Sequence, residues 1–480
     1  MKSGFEEYKL NENILKALNN LGFEEPSEVQ KATIPALLKR EDIIVKSQTG
    51  SGKTASFGIP LCNEVEVENS KIMALILVPT RELALQVKED ISNIGRLKKV
   101  RCAAVFGKQP FNEQVRELKQ RVHIVIGTPG RISDHMNRGN INFEALKFVV
   151  IDEADKMLNM GFIDQIGDIL KKLPKERTTG LFSATIPDTI EQLCNKYMNN
   201  PKMMEVVSQV FNREKIKETY LPMEVKDKDK ALWKNLYALQ PDAAIVFCNT
   251  KDKVKDVYSR LKSEGISVEQ LHGDMEQKDR LKTMERFKNK EFKVLVATDI
   301  AARGIHVDNI THVINYEVPM ERESYVHRIG RTGRAGREGF AVSFVAPYER
   351  KFLEGIEEYV GYKIEKGEFP SDDAVKNGKV VFKESQKSLN SGGRIKKQLI
   401  HDEITKIYLS VGKKKKIRNI DIVGALSNLP ELTGEDIGII DVQDNVTYVD
   451  ILNKKGKVIL KNYKEVIVKG KKARVERARK

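Results

Sequence analysis

Two short stretches carry residues whose types and spacing suit phosphate chemistry. Ser47-Gln48-Thr49-Gly50-Ser51-Gly52-Lys53-Thr54 follows the apolar run Ile43-Ile44-Val45. Gly50 and Gly52, on either side of Ser51, let backbone N–H groups close on phosphate oxygens. Lys53 can pair with the β- and γ-phosphates of a nucleotide, and Thr54 can hold Mg2+. The strict form of this loop begins with glycine, where this chain has Ser47. The second stretch is Asp152-Glu153-Ala154-Asp155, directly after Phe148-Val149-Val150-Ile151. Three carboxylates at the end of a buried strand are costly unless a cation or a reaction uses them. A plain helix start is the alternative, because acids favour the first helical turn. Beside the Lys53 loop the chemical reading gains. Asp152 can hold the Mg2+ shell, Glu153 can orient or deprotonate an attacking water, and Asp155 can tie the strand to the rest of the site.

Further along, His327-Arg328-Ile329-Gly330-Arg331-Thr332-Gly333-Arg334-Ala335-Gly336-Arg337 packs four arginines and three glycines into eleven residues. Such a run rarely serves packing. Arg331 and Arg334, three apart, can reach a phosphate that another domain holds, and an arginine in that role can be worth ~10³–10⁵ in rate. Two other stretches have phosphate-binding character. Arg81 opens a helix after Leu75-Ile76-Leu77-Val78, and Thr128, Gly130 and Arg131 open one after His123-Ile124-Val125-Ile126. Helix N-termini with Thr and Arg suit the backbone of a nucleic acid, although either alone is an ordinary strand–helix turn. Ser183-Ala184-Thr185 follows another strand. Gln30 can read an adenine edge or simply be a solvated helix residue.

The elements that must position these groups alternate strand and helix from Asp42 onward, which implies an open parallel α/β sheet with function at its carboxyl edge. The alternation restarts at Ala244-Ile245-Val246-Phe247 without a second glycine-lysine loop. The expectation is therefore two α/β domains, residues 1–204 and 205–365, that share one ATP and complete its site on closure. A chain of 480 residues with 31% charged and 40% apolar residues is globular and too long for one core. Its net charge of +15 suits a polyanion. From Ser391 to Lys480 there are 21 Lys and Arg against 11 Asp and Glu, so two thirds of that excess sits in the last fifth. Cys62, Cys102, Cys194 and Cys248 have no pairing or zinc spacing and read as reduced thiols of a cytoplasmic protein. No leader and no 18-residue apolar run is present, so no membrane partner is expected.

Residues 366–400 are rich in Lys, Glu, Ser and Gly and read as a flexible linker. Residues 401–480 then read as a compact α+β unit of order β-α-β-β-(α)-β, as in RRM-like RNA-binding folds. Tyr408 and Tyr448 are candidates to stack bases, though a strand tyrosine is more often packing. Lys413, Lys414, Lys415, Lys416 and Arg418 can contact RNA, or form a solvated loop.

Taken together, GFEEPSEVQ (Gly22–Gln30), SQTGSGKT (Ser47–Thr54), PTRELALQ (Pro79–Gln86), TPGR (Thr128–Arg131), DEAD (Asp152–Asp155), SAT (Ser183–Thr185), TDIAARGI (Thr298–Ile305) and HRIGRTGR (His327–Arg334) resemble the motif set of DEAD-box RNA helicases, in family order. The resemblance implies two RecA-like domains that bind ATP and single-stranded RNA together and separate short duplexes locally. It implies that Phe5 stacks on adenine and Gln30 reads its edge. Gly50, Ser51, Gly52, Lys53 and Thr54 would take the phosphates, and Asp152 and Glu153 the metal and water. Ser183, Thr185, Asp155 and His327 would couple the domains, with Asp299, Arg331 and Arg334 completing the site. Arg81, Thr128, Gly130, Arg131, Gln277, Arg280 and Gly304 would hold the RNA backbone. Two positions depart from the pattern. His306 stands where the family usually has Asp, and Phe106-Gly107 replaces paired glycines. GKKKKIRNIDIVGAL and DIGIIDVQDNVTYVDIL resemble the tail of the DbpA/YxiN subgroup. That implies direction to a hairpin of 23S ribosomal RNA in the pre-50S particle, and the chain is expected to act as a monomer. An ATP-gated RNA clamp with little unwinding is the alternative, and a DNA translocase a further one.

Overall fold

The computed structural model describes residues 4–47, 52–69, 71–206, 215–302, 310–333, 338–387 and 404–478. In the first part of the chain the short apolar runs form strands. These are β1 (Ile43–Lys46), β2 (Ala74–Leu77), β3 (Cys102–Val105), β4 (Ile124–Gly127), β5 (Phe148–Asp152), β6 (Thr178–Ser183) and β7 (Lys202–Glu205). They lie in the order β3-β4-β2-β5-β6-β1-β7, every pair parallel. Alternate residues feed two cores. Val45, Ile76, Val150 and Phe182 face one, and Leu75, Val149, Ile151 and Leu181 the other. The helices between the strands cover both faces: α1 (Glu12–Asn20), α2 (Glu28–Leu38), α3 (Lys53–Glu64), α4 (Arg81–Gly95), α5 (Phe111–Leu118), α6 (Pro129–Asn137), α7 (Ala154–Asn159), α8 (Ile163–Lys172) and α9 (Asp188–Tyr197). Burial on both faces explains why the strands read as continuous apolar runs rather than alternating ones. Since β7 runs to Glu205, this unit ends slightly later than the expected residue 204.

The second sheet has β8 (Ile216–Pro222), β9 (Ala244–Phe247), β10 (Val268–Leu271), β11 (Val294–Ala297), β12 (His312–Asn315), β13 (Gly339–Val345) and β14 (Glu365–Lys366). Its order, β10-β11-β9-β12-β13-β8-β14, is the first sheet's order with seven added to each number. The two units are therefore topological copies, each a RecA-like sheet. Copying makes the chemistry comparable position by position. β1 runs into the glycine-lysine loop, whereas its counterpart β8 runs into Met223-Glu224-Val225, so the second unit has no phosphate loop of its own. β5 runs into the carboxylates; its counterpart β12 leads to α14 (Arg322–Ile329), the arginine-bearing helix. Around this sheet lie also α10 (Lys228–Leu239), α11 (Lys251–Ser263), α12 (Gln277–Lys288), α13 (Asp299–Ala302) and α15 (Arg350–Val360).

The expected linker is shorter than its composition suggests. Lys366 pairs with Tyr220 in the second sheet, and Asp372–Lys387 forms α16. Val375 and Phe382, seven apart, fall on one helical face and are buried, Phe382 edge-on against Tyr237 of α10 at 5.8 Å. Val380 and Val381 on the other side stay exposed, so the helix is covered on one face only. The remaining linker residues, 388–403, lie outside the described residues.

The tail folds as β15 (Thr405–Leu409), α17 (Asn419–Ser427), β16 (Ile437–Val442), β17 (Thr447–Ile451), α18 (Gly456–Asn462), β18 (Glu465–Val468) and β19 (Lys471–Arg477). Its antiparallel sheet has the order β16-β17-β15-β19-β18. Ile407, Val449, Ile422 and Ile459 form the core between sheet and helices. Asp436 is a buried staple. It accepts from the Thr433 amide (2.8 Å) and hydroxyl (2.7 Å), from Asn453 (2.8 Å) and from the Lys455 ammonium (2.7 Å). Burial works to raise its carboxyl, but these hydrogen bonds outweigh it and hold the group below the ordinary aspartate value of 3.8. A carboxyl lowered in the folded state stabilises above its unfolded value and ceases to do so as pH falls through the folded one. Asp436→Asn is therefore expected to lower the melting temperature of the tail more at pH 7 than at pH 3. Equal losses at both would remove Asp436 from the acid sensitivity of this domain.

Candidate functional site

Lys53 opens α3, and the residue before it, Gly52, sits in the left-handed region at φ 89°. A Cβ there would lie 2.8 Å from the Gln30 Nε2 and 3.2 Å from the Ser27 hydroxyl, so glycine is required by both conformation and space. Gln30 is buried and bonded at both ends of its amide. Its side-chain oxygen accepts from the Ser27 amide at 3.0 Å, completing a capping box on α2, and its Nε2 donates to the Gly52 carbonyl at 3.3 Å. The glutamine thus pins the end of the phosphate loop to α2. Gly50 and Ser51 lie outside the described residues. Lys53 is buried and Thr54, next to it, is half-buried. Phe5 packs edge-on against Phe23 and Tyr8 and is 5% exposed. In this arrangement its ring belongs to the core.

Asp152 closes β5 and is 3% exposed. Burial pushes its carboxyl up to about 6, Lys53 pulls it down, and the neighbouring Glu153 adds to the rise. Glu153 stands at φ 55° between strand and helix, a conformation that non-glycine residues rarely adopt. Its amide donates to the Asp152 carboxylate at 2.9 Å, and its carboxylate meets the buried Lys156 ammonium at 2.6 Å. The Asp155 amide donates to the Ser183 hydroxyl at 3.1 Å, and that hydroxyl donates to the Thr185 carbonyl at 2.6 Å. The DEAD and SAT stretches are thereby joined through one serine. Among the described residues no three His, Cys, Asp or Glu side chains cluster as a metal cage. The Thr54 hydroxyl and the Asp152 carboxylate instead fit Mg2+, a hard cation that keeps waters and phosphate oxygens around it.

The candidate RNA-backbone residues of this unit gather at the carboxyl ends of the adjacent strands β2 and β4. Thr80 caps α4, accepting from the Leu83 amide at 3.3 Å, which places Arg81 in the first turn. Thr128 is the N-cap of α6, with Pro129, Gly130 and Arg131 following. Both lead to the turn after β3. An Arg81 guanidinium nitrogen lies 3.6 Å from where a Cβ on Gly107 would stand. Arg131 donates to the Gln109 carbonyl at 3.3 Å and to the Gln114 side chain at 3.1 Å. Gln114, 1% exposed, also donates to the Phe106 carbonyl at 2.7 Å. The motif pattern gives no sign of Gln114. Its sequence signal is only a polar residue in α5 at a position that the helix buries.

In the second unit Asp299, the first residue of α13, is held by Arg328 through two hydrogen bonds of 2.6 and 2.7 Å. Arg328 is 1% exposed. The sequence singled out Arg331 and Arg334 and passed over it. Arg331 falls just beyond α14, after the C-cap Gly330, and is also buried, its Nε donating to the His327 carbonyl at 3.3 Å. His327 lies half-buried in the last turn of that helix. Gln277 opens α12, though its side chain is outside the described residues, and Arg280 follows one turn later. Gly304, His306 and Arg334 lie outside the described residues.

In the tail, Lys413–Lys415 form one 3-10 turn, and Lys413, Lys414, Lys415, Lys416 and Arg418 are all exposed. The turn is fixed by backbone: the Lys413 amide donates to the Gln443 carbonyl and the Lys414 amide to the Asp444 carbonyl, each at 2.8 Å. Two lysines that the sequence left aside join it. Lys469 donates to the Lys416 carbonyl at 3.1 Å and Lys471 to the Lys415 carbonyl at 2.8 Å. Tyr408 and Tyr448 lie opposite one another on β15 and β17, half-buried, with ring centres 5.9 Å apart.

Residues 27–193 match the DEAD/DEAH box helicase family model, residues 227–336 the helicase conserved C-terminal domain, and residues 406–477 the DbpA RNA binding domain. The chain is 49% identical over 478 residues to the ATP-dependent RNA helicase DbpA of Bacillus subtilis (strain 168), covering 100% of both chains. It is 44% identical to the DEAD-box ATP-dependent RNA helicase CshA of Geobacillus kaustophilus (strain HTA426), over 78% of this chain and 80% of that one. Among solved structures it is similar to S. cerevisiae Dbp5 bound to RNA and ADP BeF3. There the TM-score is 0.70 and the identity 32%, over 79% of this chain and 99% of that chain.

Proposed function

The chain belongs to the DEAD-box ATP-dependent RNA helicases of the DbpA type, and from that premise we propose that its tail directs local duplex separation to a hairpin of 23S ribosomal RNA. The setting is assembly of the large ribosomal subunit, with the protein acting as a cytoplasmic monomer on the pre-50S particle. The observation that carries the targeting reading is the exposed cationic loop Lys413–Lys416 with Arg418, extended by Lys469 and Lys471. In the core, Lys53 and the loop before it bind the ATP phosphates. Thr54 and Asp152 would hold Mg2+, partly through water, and the ion would supply charge neutralisation for the phosphoryl group. Glu153 holds the attacking water and takes its proton. Gln30 fixes the loop and offers its remaining amide N–H to the adenine edge, and Phe5 must leave its core contacts with Phe23 and Tyr8 to stack on the base. Asp299, Arg331 and Arg334 complete the site from the second domain. Arg81, Thr128, Gly130, Arg131, Gln277, Arg280 and Gly304 grip the RNA backbone. Ser183, with Asp155, Thr185 and His327, relays the nucleotide state to domain closure. Tethering raises the local concentration of duplex near the core to roughly the millimolar range, so a weak general unwinder acts where the tail is bound.

ATP turnover with no RNA, with a random single strand and with 23S ribosomal RNA tests this reading. Strong stimulation by 23S RNA alone is expected. Replacing Lys413–Lys416 by Ala should abolish that preference. It should also flatten the dependence of log affinity on log salt by about 0.7 for each single-strand phosphate that the lysines no longer neutralise. Equal stimulation by any RNA would remove the targeting and keep the helicase. An unchanged salt slope would reduce the lysines to a solvated loop. Turnover without duplex separation would favour an ATP-gated clamp.

A further inference from the structure

The open face of the tail sheet, away from α17 and α18, is built unlike a nucleic-acid platform. Lys406 and Tyr408 on β15 and Tyr448 and Asp450 on β17 point to it by strand alternation, with Asp441 of β16 directly opposite Tyr448. Two aspartates thus flank the tyrosine that would stack a base, and each repels phosphate. Both aspartates already have cationic partners in the first helicase domain. Arg96, the C-cap of α4, donates through Nε and Nη2 to one Asp450 oxygen, each at 3.3 Å. Arg101, just before the edge strand β3, donates to the Asp441 carboxylate at 3.3 Å and to the Ile440 carbonyl at 3.1 Å. Lys99 between them donates to the Gly434 carbonyl at 3.2 Å. The Asp450 side chain is 4% exposed and that of Arg96 19%, so this pair is largely out of water. The tail and the first sheet belong to one compact unit.

We propose that the open face of the tail sheet is a docking surface for the cationic edge Arg96-Lys99-Arg101 of the first helicase domain. RNA contact by the tail is then left to the lysine loop. The charge complementarity is specific: aspartates two strands wide meet arginines spaced five residues apart at the end of α4 and the start of β3. A base stacked on Tyr448 would have to enter between Arg101 and Arg96, so docking and stacking exclude one another. The lysine turn Lys413–Lys416 stays exposed in the docked state. The inference rests on the tail binding RNA, not on which RNA it binds.

Energy transfer in the full chain tests it, with dyes on Asn112→Cys and Glu465→Cys, both exposed positions; the native cysteines are buried. Transfer should be high in dilute salt. Arg96→Glu with Arg101→Glu places like charges together, and the docked-to-free ratio should fall by at least about tenfold. Adding Asp441→Arg and Asp450→Arg should restore it. Arg96→Gln with Arg101→Gln, which leaves no new repulsion, should lower it less. Transfer unchanged in the double-glutamate variant would overturn the docking surface, as would failure of the swapped pairs to restore it while the tail still melts cooperatively. Tyr448→Ala supplies the independent arm. RNA affinity within about threefold of the unaltered chain is expected. A loss of tenfold or more, the scale of one stacked base, would make the sheet an RNA platform and overturn the assignment.

Discussion

Glu153→Gln is expected to lower RNA-stimulated ATP turnover by about 10²–10⁴-fold, the usual worth of a positioned general base, while ATP and RNA affinities stay within about threefold. The geometry favours this clean separation. Glutamine keeps the length of the side chain and can still accept from the Lys156 ammonium, which lies 2.6 Å from the carboxylate. It loses only the capacity to take a proton. Its neighbour changes in the helpful direction. Glu153 contributes to the raised Asp152 carboxyl, so a neutral residue there eases Asp152 back toward its ordinary value and keeps it available to a cation. Alanine would be a poor substitute. It would take the carboxylate from a buried ammonium, at a cost of up to about 3–5 kcal/mol, and confuse folding with chemistry. Steady-state turnover, with nucleotide and RNA binding measured on the same preparation, checks the prediction. Undiminished turnover in Glu153→Gln would remove the residue from the reaction.

The parts legible from sequence were those whose physics is local. Strands buried on both faces announce themselves as apolar runs, and β4 and β5 lie where Ile124–Ile126 and Phe148–Ile151 predict. Glycine at position 52 follows in part from a left-handed turn, which is local geometry. What stayed hidden depends on distant partners. The strand β19 is written Lys-Lys-Ala-Arg-Val-Glu-Arg, with only Ala473 and Val475 facing the core, and its place beside β15 is decided by pairing rather than by composition. Helix α16 is covered on one face only and so resembles a linker. Gln114 and Arg328 are polar residues made structural by burial, and burial is a property of the assembled sheet. The aspartates of the tail are the same case: Asp450 reads as a solvated strand residue until Arg96 is seen beside it.

Arg328 carries the second large expectation, because its role is to hold rather than to react. Its five donors are spent inside the second domain: Nε and Nη2 on Asp299, Nη2 also on Asn249 at 2.7 Å, and Nη1 on the Glu317 carbonyl at 2.7 Å and on Asn315 at 3.3 Å. The guanidinium also lies over the Phe247 ring at 5.2 Å. Arg328→Met keeps the apolar length and deletes all of these bonds, taking the guanidinium from the partly exposed Asp299 carboxylate and a donor from the part-buried Glu317 carbonyl. Breaking one side of such a pair costs about 3–5 kcal/mol. In a domain of this size that lowers the melting temperature by roughly 6–20 °C. Lysine should not rescue it, since a point charge cannot reach Asp299, Asn249 and Glu317 in one plane. The cause can be separated from the consequence. If the loss is the stranded carboxylate, Arg328→Met with Asp299→Leu should recover part of the stability, because the uncompensated charge is gone. ATP turnover should be lost in that pair, because Asp299 is itself assigned to the nucleotide site. Recovery of both would make Asp299 structural only. A fall of less than about 1 kcal/mol for Arg328→Met alone would mean that the network is held by its other members.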